Sequence, residues 1–161
     1  MTYYYFDSSV LVKAYITEPG SDSVREILQQ ARAAEPTARV IVSILAYTEA
    51  ASAVSRREAA GELSRRQANQ LMRHLTQDFE GDRRPYEIID VTGGIAHHAP
   101  VLARTHRLRA YDAIQLATAL AARAATPEGI EFVFATTDNA LYEAAQAEGF
   151  VMLDLAAPAG S

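Results

Sequence analysis

The sequence contains no cysteine. Disulfides and thiolate metal sites are therefore excluded, and a reducing compartment is compatible with the chain. Long apolar runs are also missing. None approaches the ~20 residues needed to cross a bilayer, and Met1 is followed by no charged n-region or cleavage site. The expectation is a cytoplasmic protein without a membrane partner. Glycine-rich phosphate loops are absent too: Gly93-Gly94 is followed by no Gly-Lys-Ser/Thr, and there is no GxGxxG. That argues against P-loop and dinucleotide enzymes, as the missing Gly-x-Ser-x-Gly elbow does against serine hydrolases. Positive charge is not in excess. A net charge of -5 argues against a nucleic-acid binder held by bulk charge. It leaves room for an enzyme that meets phosphates through metal ions, because clustered carboxylates make the balance acidic while bound cations reverse it locally.

What is present fits one domain with a real core: 161 residues, 49% of them hydrophobic and 22% charged. We take residues 1–155 as that domain and 156–161 (AAPAGS) as a flexible tail. Short apolar runs rich in Val, Ile, Tyr and Phe predict strands at Tyr3–Phe6, Val40–Val42, Tyr86–Ile89, Phe132–Ala135 and Val151–Leu153. Helical patterns fill the gaps. A short one covers Ser9–Ile16, and Ser21 is placed to cap a second that runs through Ala34. Ser43, Ser64 and Thr92 are placed to cap three more. Ala110–Ala125 and Asp138–Glu148 follow, the last stopped by Gly149. Strands alternating with helices imply an α/β sandwich around a mainly parallel sheet, whose ligands bind beyond the carboxyl ends of the strands.

Four carboxylates stand out in that frame. Asp7 closes the first strand in YYYFDSSVLV, and Asp138 follows the fourth in FVFATTD. Glu49 interrupts the apolar pattern of SILAYTEAASAV, and Asp112 that of LRAYDAIQLATAL. Each has a simpler local role open to it. Asp7 and Asp138 could cap the helices that follow them. Asp112 could sit in a first helical turn, favoured by the dipole. Glu49 could pair with Arg56 or Arg57. Four such accidents at similar places are less economical than one shared acidic pocket. Oxygen donors without thiolates suit a hard cation, Mg²⁺ or Mn²⁺, and such sites commonly handle phosphates.

These stretches together resemble the PIN-domain ribonucleases, and in particular the VapC toxins of toxin–antitoxin pairs. FDSSVLVKAY followed by EPGS is similar to the first motif, SILAYTEAASAV to the second, LRAYDAIQLATAL to the third and FATTDNALYEAA to the last. The match runs from Tyr3 to about Leu153. The resemblance implies a PIN-like three-layer sandwich, with a central mainly parallel sheet flanked by helices. It implies Mg²⁺-dependent endonucleolytic cleavage of RNA by metal-activated water, leaving a 5′-phosphate and a 3′-hydroxyl. It also implies Asp7, Glu49, Asp112 and Asp138 as the catalytic and metal-holding acids, with Mn²⁺ as a substitute ion. Thr136, which would hold a metal-bound water or orient Asp7, and Ser8 would support them. A VapB-like antitoxin and a homodimer are further implications. The alternative is an RNA- or protein-binding module whose acids only hold a cation. A phosphatase with Asp7 as nucleophile is disfavoured because Ser9 stands where its second acid belongs.

Other residues read more plainly. His97 and His98 are neighbours on a helix and point about 100° apart, so they do not share an ion. His74 and His106 have no partner at i+4. Tyr3, Tyr4 and Tyr5 read as core and edge residues of a strand rather than a base-stacking platform. Lys13 is left open between solvent, a carboxylate partner and a phosphate. The arginines at 56, 57, 65, 66, 73, 83 and 84, with 104, 107 and 109, fit either a solvated helix face or a phosphate-backbone surface. The Ser43–Arg57 and Ser64–Gly81 helices could form an apolar groove or pack on each other.

Overall fold

A computed structural model describes residues 1–82 and 84–155. The predicted tail at 156–161 and Arg83 lie outside the described residues. Among the described residues, five parallel strands form one sheet in the order β3-β2-β1-β4-β5. They are β1 (Thr2–Phe6), β2 (Ala38–Ser43), β3 (Tyr86–Ile89), β4 (Glu131–Ala135) and β5 (Val151–Met152). Seven helices among the described residues connect them: α1 (Ser8–Tyr15), α2 (Ser21–Arg32), α3 (Ile44–Ala59), α4 (Arg65–Glu80), α5 (Gly93–His106), α6 (Ala110–Ala125) and α7 (Asn139–Ala147). The predicted strands and helices are thus all present, most with ends shifted by a residue or two.

Alternation along β1 divides the core. Tyr5 belongs to a cluster with Leu102, Leu116, Phe134, Leu141 and Phe150, which packs α5, α6 and α7 against one sheet face. Phe6 belongs to a second with Val10, Leu11, Val24, Leu28, Ala46, Leu75 and Phe79, which packs α1 to α4 against the other. Period-two strands buried on both faces thus give three layers.

Several caps follow the sequence signals. Ser43, Ser64 and Thr92 accept from backbone amides in the first turns of α3, α4 and α5, and Ser64 closes a capping box with Gln67. Ser21 does not cap α2. Gly20 takes that position with φ 88°, a left-handed conformation suited to glycine. The Ser21 hydroxyl instead accepts from the Glu18 amide and donates to the Ile16 carbonyl, closing the α1–α2 turn. That helix ends at Arg32, before the predicted Ala34.

Helices α3 and α4 pack on each other rather than opening an apolar groove. Tyr47 stacks on Phe79 with ring centroids 4.7 Å apart, and its hydroxyl donates to Thr76 and Glu80. Lys13 is 7% exposed and pairs with Glu18 at 3.1 Å; Arg57 also bonds Glu18. Arg57 is therefore committed to Glu18 and Glu62, and Arg56 donates to Ser52. Among the described ion pairs neither arginine is paired with Glu49, which removes the simplest local account of that acid. Two histidines have structural partners: His97 bonds the Gly93 carbonyl and His106 the Glu148 carboxylate.

Candidate active site

The strand order places β1 at the centre, with β2 on one side and β4 on the other. Chain connections leave β1 toward β2 and return through β4, so the carboxyl ends of β1 and β4 flank a topological switch point, where open α/β sheets bind ligands. Asp7 leaves β1 at this edge. Its amide still donates to the Ala135 carbonyl at 3.1 Å, so the β1–β4 ladder reaches the acid.

The Asp7 side chain is 4% exposed and held from three directions. Oδ1 accepts from the Ser9 hydroxyl at 2.6 Å and from the Val10 amide at 3.1 Å; Oδ2 accepts from the Thr136 hydroxyl at 2.7 Å. Burial pushes its carboxyl up to about 6, and bonds from Ser9, Thr136 and Val10 oppose that rise. Asp7 therefore does cap α1. Capping alone does not call for two further hydroxyls, one of them from β4's far end.

Thr136 accepts from the Asp138 amide at 3.0 Å while it donates to Asp7, which links the two acids through one hydroxyl. Asp138 caps α7 by accepting from the Leu141 amide at 2.8 Å, and it is exposed. Glu49 and Asp112 are half-buried, one from α3 and one from α6, so the two helical layers each contribute an acid. Ser8 donates to Glu49 Oε2 at 3.1 Å. Asp112 titrates above the ordinary carboxylate range. Burial is the main cause, Asp138 adds to it, Arg109 opposes it and Glu49 adds further. Asp112, Asp138 and Glu49 thus share one electrostatic field, although they lie on three elements.

Ser9, Tyr111 and Gln115 join the site without having been among the candidate site residues. Ser9 accepts from the Thr137 amide at 2.9 Å while it donates to Asp7, a second tie between the ends of β1 and β4. Gln115 is 1% exposed; it accepts from the Tyr5 hydroxyl at 2.5 Å and donates to the Tyr111 oxygen at 2.7 Å. Tyr111 stands beside the Ser8 hydroxyl, and burial and then the Glu49 charge hold its phenol well above the usual range. A glutamine inside the apolar face of α6, one turn after Tyr111, was the available signal.

The donor set of carboxylates and hydroxyls suits a hard cation. Among the described residues, no three His, Asp or Glu side chains are gathered closely enough to hold an ion by themselves.

The PIN domain family profile matches residues 4–147, most of the chain. The chain belongs to the PIN domain family. This PIN domain is 35% identical to Ribonuclease VapC45 of Mycobacterium tuberculosis over 117 residues, 73% of this chain and 74% of that protein. Its fold is similar to VapBC2 from Rickettsia felis, solved bound to a DNA fragment from their promoter. The TM-score is 0.62 at 14% identity, covering 94% of this chain and 98% of that one. A toxin–antitoxin complex from Klebsiella pneumoniae aligns with TM-score 0.52 at 19% identity, over 84% and 88% of the two chains. In this PIN domain, no described helix is long and apolar enough to cross a membrane.

Proposed function

We propose that this PIN domain is a metal-dependent endoribonuclease and the toxin of a toxin–antitoxin pair. The observation that carries the reading is buried Asp7 at the strand edge, joined through the Thr136 hydroxyl to the Asp138 amide, with the adjacent Ser8 hydroxyl bonding Glu49. Asp112 also feels the charges of Asp138 and Glu49, and a shared cation would relieve that crowding. The 35% identity to a protein named a ribonuclease supports the reaction class.

Asp7, Glu49, Asp112 and Asp138 would hold Mg²⁺, or Mn²⁺ in its place. Such an ion, when bound, would supply Lewis-acid stabilisation of a phosphate and make water more acidic. Because the described acids do not close a cage alone, an ion here would keep water among its ligands, as Mg²⁺ commonly does. The chain's own residues keep the acids in place. Ser9 and Thr136 orient Asp7, Ser8 orients Glu49, and the α7 cap orients Asp138. The substrate is an RNA phosphodiester. The partners are a VapB-like antitoxin, in keeping with the toxin–antitoxin complex among the structural neighbours, and a second copy of the chain.

The test is cleavage of total cellular RNA by purified protein freed of any co-purifying partner, in Mg²⁺, in Mn²⁺ and in EDTA, beside Asp7→Asn and Asp112→Asn. Discrete fragments that need both metal and the two acids support the reading. Cleavage unchanged in both variants overturns the site. Folded protein that binds Mn²⁺ but cuts no RNA overturns the nuclease and leaves a binding module.

A further inference from the structure

The hydroxyls of the site differ in where their protons go. Ser8 donates to Glu49, Ser9 to Asp7 and Thr136 to Asp7. All three are committed to carboxylates. Tyr111 is different. Its oxygen accepts from Gln115 Nε2 and lies against the Ser8 hydroxyl, and among the described hydrogen bonds its own proton goes to no carboxylate.

The sense of this bond is set from the core. Tyr5 is fully buried and its hydroxyl donates to Gln115 Oε1, which turns the amide's NH₂ toward Tyr111. A donor chain therefore runs Tyr5 to Gln115 to Tyr111, from the sheet centre to the acidic edge. A hydroxyl that already accepts is a better donor, because linked bonds polarise one another. Tyr111 immediately precedes Asp112 on α6, and its ring is half-buried, so it is held but reachable.

A phosphodiester entering this site meets acceptors almost everywhere. Cations offset the carboxylates, but the non-bridging oxygens need donors as well, and a donor held in place before the substrate arrives does not have to reorganise. We propose that the Tyr111 hydroxyl donates a hydrogen bond to a non-bridging oxygen of the scissile phosphate, with Gln115 and Tyr5 as positioning residues that aim it. The proposal rests on the nuclease reading and adds to it a neutral substrate contact outside the four acids.

The test compares Tyr111→Phe, which keeps the ring and loses only the oxygen, with the native chain. Three quantities are read: the single-turnover rate on total cellular RNA in Mn²⁺, the affinity for a labelled single-stranded oligoribonucleotide pool in Ca²⁺, and the Mn²⁺ affinity without RNA. Loss of one hydrogen bond to a charged group lowers the rate by about 10- to 100-fold. RNA affinity falls several-fold and Mn²⁺ affinity stays unchanged, which also shows that the acidic site has folded. Gln115→Met, which keeps the tyrosine but releases its aim, gives a smaller rate loss in the same direction. An unchanged rate and RNA affinity in Tyr111→Phe overturn the contact while native cleavage keeps the nuclease. A rate loss matched by an equal loss of Mn²⁺ affinity overturns it in favour of support for the ion site. Absence of cleavage by the native chain overturns the nuclease reading, and this proposal with it.

Discussion

Thr136 donates to Asp7 Oδ2 at 2.7 Å across 129 positions of sequence, and the same hydroxyl accepts from the Asp138 amide. One side chain thus joins the ends of two neighbouring strands and relates two acids. Removing it has separable consequences. Thr136→Val leaves a buried carboxylate oxygen without its donor and should lower stability by about 1–3 kcal/mol in urea denaturation. Thr136→Ser retains the hydroxyl and should recover most of that loss.

The pH dependence of stability should carry the signature of Asp7. Its folded value, about 6, lies above the ordinary 3.8, so the folded state binds the proton more tightly than the unfolded chain. The stability contributed by protonated Asp7 is complete below the lower value and is lost as pH rises through the upper one. Asp7→Asn cannot ionise. In EDTA it should be more stable than the native chain above pH 6, by up to about 3 kcal/mol, with the difference closing as pH falls toward 3.8. Urea titrations of both proteins across this range check it.

Divalent cations should work against that burial cost. Mn²⁺ should raise the melting temperature of the native chain, since a ligand bound only to the folded state stabilises it by mass action. The shift should grow between pH 5 and 7, because Asp7 must lose its proton to act as a ligand. Asp112→Asn should show a much smaller shift. Differential scanning fluorimetry with and without EDTA reads both effects.

Arg107 offers a test away from the site. It ends α5 with φ 55°, a left-handed conformation that disfavours a side chain with a Cβ. Arg107→Gly should stabilise the domain by about 0.5–1 kcal/mol, while Arg107→Ala should gain nothing of the kind. Thermal melts of the pair separate conformational relief from loss of charge.

The layers and the strand positions were legible because every strand is a short apolar run between helical patterns. Asp7 was legible as a charge at the end of such a run, and Glu49 and Asp112 as breaks in apolar faces. What pattern could not resolve was hydrogen-bond partnership. Ser21 looks like a helix cap, yet the glycine before it takes that place and the serine closes a turn. Lys13 gave no sign of being buried, because its partner Glu18 lies beyond the end of its helix. Gln115 reads as one polar residue on an apolar helix until β1 brings Tyr5 beneath it. These relations depend on contacts between elements, which composition and spacing do not encode locally.

Strand β1 precedes the other described elements in the chain, yet it sits at the middle of the sheet, with β4 as one of its neighbours. During synthesis Asp7 therefore waits, without Thr136, until most of the chain has been translated. At ribosomal speeds of about 5–20 residues per second this takes several seconds or more. For the nuclease proposed above, whose target would be RNA, that order of assembly delays the site. The growing chain spends its time attached to a particle built largely of RNA, and until β4 is made the Asp7–Thr136 contact is not yet formed.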